Sequence, residues 1–367
     1  MTDLTRTRWR WAAPIGAIAL VAAGTLAVNS IAQADPGLPS RTAEQLVTDA
    51  LQAKVPGMSG TVSETADLGL PSLAGLGKDN SLQSWVTGTH TARVWQSGED
   101  KQRVSIPNGS NESDFVRNGN KTWYWDSTDQ SVTTSNLRVR NDRRPQTSVT
   151  PQQVAQKLLT EVSKTSTVST ATNSTVAGRA AYELVITPSQ RGTKVAKVEM
   201  AIDGVTHLPL QLEVFAVGAA KPSIQIGFTT VDFSVPSDSV FAAPTGKSTK
   251  TVSPHERKAP GKGIQTHKPA KNAAKVIGDG WQSVLVTKLP VSGTSGHTAP
   301  GQEPGQSKGS DQRQLQQLLN GLPKVSGDWG SGRLFNGTLF SAVLSDDGRV
   351  AVGAVTPDLL YAALKSR

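Results

Sequence analysis

The 367 residues contain no cysteine and only three methionines. The missing thiols exclude disulfides, thiolate metal sites and a lipid attached to an N-terminal cysteine. Hydrophobic residues reach only 36% and aromatics 5%, so much of the chain is expected to be loop or linker. Catalytic patterns are scarce too. The histidines at 90, 207, 255, 267 and 297 lack metal-ligand spacing, and no phosphate loop is present. The one G-x-S-x-G match, Gly305-Gln306-Ser307-Lys308-Gly309, falls in a low-complexity stretch rather than at a strand-to-helix elbow. Asp126/Asp129 and Asp346/Asp347 look like paired carboxylates, but both sit in hairpin turns, where Asp accepts from local backbone donors. The expectation is a non-enzyme with no catalytic residue, no metal and no cofactor.

A net charge of +9 suggests nucleic acid until it is located. About eight basic residues stand against Glu256 alone between Lys247 and Lys275, and Arg6, Arg8 and Arg10 add more. The remainder is close to neutral, so no nucleic-acid partner is expected. The 247–275 run is a solvated linker, or a strip for anionic head groups or cell-wall polymers.

After those N-terminal arginines comes AAPIGAIALVAAGTLAVNSIAQA, an uncharged run long enough to span a bilayer as a helix. Positive charge before it and Asp35 after it orient the body outside the cytoplasm. Residues 11–34 are thus expected to anchor the chain in the cytoplasmic membrane as a single pass. Ala32-Gln33-Ala34 also suits signal-peptide cleavage, which would give a secreted body instead.

Two amphipathic helices are expected, one from Thr42 to Lys54 with Thr42 and Gln45 as a capping box, one opening at Thr150-Pro151. Strands are expected at 58–66, 85–95 and 101–107, followed by the meander SDFVRNGNKTWYWDSTDQSVTT. Asn118-Gly119-Asn120 and Asp126 to Asp129 supply its turns. Trp123 and Trp125 share one face of the middle strand, with Thr122 and Tyr124 on the other. After a Ser/Thr-rich loop, strands at 180–188, 194–203, 208–217 and 223–234 alternate cleanly. Tyr182, Leu184, Ile186, Ala196, Val198, Met200, Ile202, Leu210, Leu212, Val214, Ile224, Ile226 and Phe228 make a dry face. Glu183, Lys197, Glu199, Gln211, Glu213, Gln225 and Thr229 make a wet one.

About ten strands with two helices to cover them favour a curved sheet closing partly around the helices, rather than a flat one. Such an α+β half-barrel encloses an apolar cavity; a fully packed α+β core is the alternative. The expected cavity wall is Leu184, Ile186, Val198, Met200, Leu210, Leu212, Val214, Ile224, Ile226 and Phe228, with Trp123 and Trp125 contributing.

The order of these pieces resembles the LolA/LolB lipoprotein-carrier superfamily. The matching stretches are SGTVSETADL, the FVRNGNKTWYWDSTDQSVTT meander, AYELVITPS, VAKVEMAIDGVTHLPLQLEV and IQIGFTTVDFSV. The closing Val240-Phe241 and Pro244-Thr245-Gly246 also match. Coverage is about residues 42–246, and the chain looks most like actinobacterial membrane-anchored and sporulation-associated members. The resemblance implies an antiparallel half-barrel lidded by helices that binds a lipid or an acylated protein, in an anchored rather than shuttling form.

Residues 276–367 form an expected small α+β module, interrupted by a low-complexity stretch at 290–311. It contains a strand at Trp281 to Val286, a helix at Gln312 to Asn320 and a hairpin across Asp346-Asp347-Gly348. A last helix, Asp358 to Leu364, is capped by Thr356-Pro357. This arrangement resembles the RseB/MucB type of envelope-stress regulator, which joins a LolA-like domain to a smaller one that helps bind an anti-sigma factor. The resemblance implies, as the alternative function, a membrane protein partner bound through the module.

Overall fold

A computed structural model describes residues 37–69, 87–136, 159–252, 274–288, 319 and 321–366. The segment 11–34 and most of the helices expected at 150–162 and 312–320 lie outside the described residues. Among the described residues no helix is long and apolar enough to cross a membrane.

Helix α1 (Ala43–Gln52) starts as its sequence dictates. Thr42 Oγ1 accepts from the Gln45 amide at 3.2 Å, and the Gln45 side chain accepts from the Thr42 amide at 2.9 Å. It ends at Gln52, five residues before Gly57, which already belongs to the first strand.

Twelve strands form one sheet. In chain order they are β1 (Gly57–Asp67), β2 (Thr87–Ser97), β3 (Lys101–Asn108), β4 (Asn111–Asn118), β5 (Lys121–Asp126), β6 (Ser131–Asn136), β7 (Ser166–Val176), β8 (Arg179–Pro188), β9 (Val195–Asp203), β10 (Pro209–Ala216), β11 (Ile224–Asp232) and β12 (Ser248–Val252). Across the sheet the order is β12-β6-β5-β4-β3-β2-β1-β11-β10-β9-β8-β7. The pairing of β1 with β11 therefore joins two meanders into one surface. Strand β7 also touches β11 although three strands separate them, so this half of the sheet curls. A large, mainly antiparallel open sheet with few helices is what a half-barrel requires.

Two expectations change here. The Ser/Thr-rich stretch after residue 165 is the eleven-residue edge strand β7, not a loop. Threonine and valine suit a pleated surface, and polarity does not prevent pairing at an edge. The start of the basic linker is also a strand, because β12 pairs with β6, the one parallel ladder of this sheet among the described residues. The turn chemistry holds: Gly119 has φ 59°, and Asp126 and Asp129 accept from the amides of Thr128 and Ser131 at 2.8 and 3.0 Å. Gly60 is needed for space, since a Cβ there would meet the Phe228 ring at 3.0 Å.

The remaining strands are β13 (Lys275–Ile277), β14 (Val284–Lys288), β15 (Lys324–Gly327), β16 (Gly330–Asn336), β17 (Ser341–Ser345) and β18 (Arg349–Gly353). They make a second sheet in the order β13-β14-β18-β17-β16-β15. Helix α2 (Pro357–Lys365), with Thr356 at its N-cap, covers one face. It buries Leu360, Ala363 and Leu364 against Val284, Val343 and Ala351. The module docks on the large sheet: Thr193 bridges to Val355, and the Lys194 amide donates to Ala354 O at 2.9 Å. Trp281 N–H donates to Gln190 Oε1 at 2.8 Å.

Candidate ligand-binding face

Residues directly opposite in neighbouring strands point to the same side of a sheet. Followed strand by strand, the register collects the predicted wall into two rows. One runs Leu184, Met200, Leu212, Ile226 across β8, β9, β10 and β11. The other runs Ile186, Val198, Val214, Ile224 across the same strands. Helix α1 lies on this side, with Leu46 buried against Tyr182, Leu184 and Ile202.

The rows are closed differently along their length. Leu184 and Met200 pack with α1. Val198, Val214 and Ile224, with Trp281, pack against a buried cluster of Val195, Ala216 and Leu339, so the C-terminal module closes that end. Leu210 and Phe228 are buried with Val62 and Val94, and Ile226 packs on them. Ile186 and Leu212 remain half-buried and belong to none of these clusters of described residues. Leu212 lies midway along its row.

Trp123 and Trp125 do not join the rows. Val94 pairs with Val104, Val104 with Phe115 and Phe115 with Tyr124, so the meander presents Phe115 and Tyr124 on the α1 side. They are 44% and 46% exposed. The tryptophans point to the opposite side with buried Val116, Asp114 and Val132. There the chain after β11 crosses the sheet in a 3-10 turn, Asp238–Phe241, which buries Phe241 fully. Arg103 holds it by donating to Val240 O at 3.3 Å and pairing with buried Asp114 at 2.6 Å. The alternation within β5 shows that Trp and Tyr point apart, but only registration through β4, β3, β2 and β1 shows which side each joins.

Two polar residues on this face carried no sequence-level signal strong enough to single them out. Glu64 lies directly between Ile226 and His90, extending the Leu212 row onto β1 and β2. Burial pushes the Glu64 carboxyl up to about 7 and the His90 imidazole down to about 4. Near neutral pH His90 is therefore uncharged, and Glu64 is close to half-protonated. The available hint was alternation: Val62, Glu64 and Ala66 fall on one side of β1, so a carboxylate occupies an apolar register position.

Glu183, Glu199, Glu213 and Lys197 lie together on the opposite face, as their alternation predicts, but all four are half-buried rather than solvent-exposed. Lys197 Nζ contacts Glu199 at 2.6 Å and lies 4.2 Å from the Phe215 ring centre. Burial, partly offset by Ser174 and reinforced by the charges of Glu199 and Glu213, pushes the Glu183 carboxyl up to about 7. A separate polar cleft of about 420 Å³ lies in the module, lined by Lys324, Ser326, Ser331, Arg333 and Asp346 among others. It shares no residue with the apolar rows.

No family model and no curated protein matches the chain. Among solved structures it is similar to the MucA/MucB complex of Pseudomonas aeruginosa, at 13% identity and TM-score 0.44, covering 88% of this chain and 96% of that one. It is also similar to a LolA-superfamily protein from Nitrosomonas europaea, at 13% identity and TM-score 0.21, covering 55% of this chain and 98% of that one. An uncharacterized conserved protein from Thermus thermophilus aligns at 12% identity and TM-score 0.33, covering 57% of this chain and 98% of its own.

Proposed function

We propose that this chain is an extracytoplasmic envelope protein, anchored through residues 11–34, that binds the acyl chain of a lipid or an acylated protein along the α1 side of its large sheet. It acts by binding, not by catalysis. The observation that carries this reading is the continuous apolar row Leu184–Met200–Leu212–Ile226, in which Leu184 is buried while Met200, Leu212 and Ile226 stay half-buried. Covering such a row with a hydrocarbon chain contributes about 25 cal/mol for each Å² removed from water. The test is mass spectrometry of lipid co-purifying with residues 35–367, prepared without detergent, beside a Leu212→Glu variant shown to be folded by circular dichroism. One defined lipid in near-stoichiometric amount, lost in the variant, supports the reading. A folded wild type that carries no lipid and takes up none sinks it.

A second reading, a regulator binding a membrane protein through the C-terminal module, has its own support. Val276, Leu285, Val352, Ala342 and Phe335 form a cross-strand row on the module's sheet. Val276 and Leu285 are 61% and 40% exposed. A crosslinked membrane partner lost on Leu285→Glu, with lipid content unchanged, would favour this reading.

A further inference from the structure

Glu64 is an anomaly on the face just described. It is half-buried, with Ile226 on one side and buried His90 on the other, and among the described residues its carboxyl has no hydrogen-bond or ion-pair partner. Its neighbours along β1 on the same side are Val62 and Ala66, and those on β11 are Ile224 and Phe228. His90, on β2, is the one titratable group of the described residues facing it across a strand. No charge contributes to the upward displacement of its pKa; burial alone does. A carboxyl in such a place costs free energy unless something donates a hydrogen bond to it. Buried carboxylates elsewhere in this protein show the usual remedy: Asp114 pairs with Arg103 and Asp203 with Arg179.

We infer that Glu64 is the polar anchor of the apolar rows, accepting a hydrogen bond from the hydroxyl or ammonium head of a single-chain amphiphile whose tail lies over Ile226, Leu212 and Met200. This rests on the acyl-chain reading and narrows it to ligands whose head is a hydrogen-bond donor rather than an anion. The row supplies the geometry, because one register line leads from the carboxyl through Ile226 and Leu212 to Met200. An anionic head would meet a carboxylate at close range and be repelled above neutral pH.

The test measures binding at pH 8 to the full chain held soluble by an amphipathic polymer, with the polymer alone as blank. The probes are monolauroylglycerol, dodecylammonium, dodecyltrimethylammonium and laurate, each below its micelle concentration. In the wild type, one or both donor heads are expected to bind about tenfold tighter than the trimethylammonium probe, with laurate weakest. Whether the hydroxyl or the ammonium probe gains identifies the source of the donor. In Glu64→Gln the donor advantage over the trimethylammonium probe should fall to about twofold or less, and laurate should gain as the carboxylate charge is removed. If the wild type binds all tails equally whatever their heads, the anchor is wrong and the acyl-chain reading stands. If no tail binds at all, both fall. The wild-type series decides the matter even should the variant misfold.

Discussion

Trp281 donates its indole N–H to the Ser166 hydroxyl at 2.7 Å, tying the C-terminal module to the edge strand β7 of the large sheet. The bond joins residues far apart in sequence, and Ser166 is buried where it is made. Ser166→Ala would leave the indole N–H without that partner, at a cost of about 1–3 kcal/mol. Hydrogen exchange should then quicken at the amides of Lys194 and Thr356, which bond across the same junction, while β3 to β6 exchange as before. Uniform loosening of the whole chain would contradict a local tether.

Helix α1 is held mainly by one side chain. Leu46 is fully buried against Tyr182, Leu184 and Ile202. Leu46→Ala is expected to cost about 2–5 kcal/mol, measured by urea denaturation. Thr42→Ala, which removes the cap and leaves the packing, should cost about 1 kcal/mol. Equal losses would mean that the helix is held by its termini rather than by its apolar face.

Asp203 is buried and accepts from Arg179 at 2.5 and 3.0 Å and from the Thr206 amide and hydroxyl at 2.6 and 2.8 Å. Burial raises its pKa, but the Arg179 and Thr206 donors outweigh this and hold it below the ordinary carboxylate range. A depressed carboxylate pKa contributes stability that is present above the unfolded value and lost as pH falls through the folded one. Asp203→Ala should cost about 3 kcal/mol at pH 7, because Arg179 loses its buried partner. The deficit should begin to shrink as pH falls below about 4, the unfolded value, and level off once pH passes the lower folded value, where the wild-type carboxylate is protonated as well.

The Glu64–His90 pair predicts a stability optimum. Between its ordinary value of 4.5 and about 7, Glu64 binds more proton in the folded state, so stability falls as pH rises through that window. Between 6.5 and about 4, His90 binds less proton in the folded state, so stability falls as pH drops. Glu64→Gln should therefore raise the Tm at pH 8 and leave it nearly unchanged at pH 4. His90→Gln should do the reverse, stabilising near pH 4 and not at pH 8. Parallel Tm–pH curves for the variants and the wild type would contradict both.

Much of this protein could be read along the chain. The capping box of α1, the turns at Gly119 and Asp126, the alternation of β8 to β11 and the final helix all depend on neighbours a few residues apart. Such local chemistry constrains the backbone before any tertiary contact forms. The dry row of Leu184, Met200, Leu212 and Ile226 was legible for the same reason.

The tertiary structure alone decided the rest. Registration through successive strands put Tyr124 and Phe115 on the α1 side and turned Trp123 and Trp125 toward the Phe241 crossing. It also set Glu64 beside His90 at the end of the apolar row and brought Leu339 against Val214. Edge pairing made strands of the Ser/Thr-rich β7 and of β12, which composition marks as loop and linker. The physical reason is common to all of these. Alternation fixes the two sides of each strand only relative to each other, and the pairing of β1 with β11 assigns every strand's sides at once.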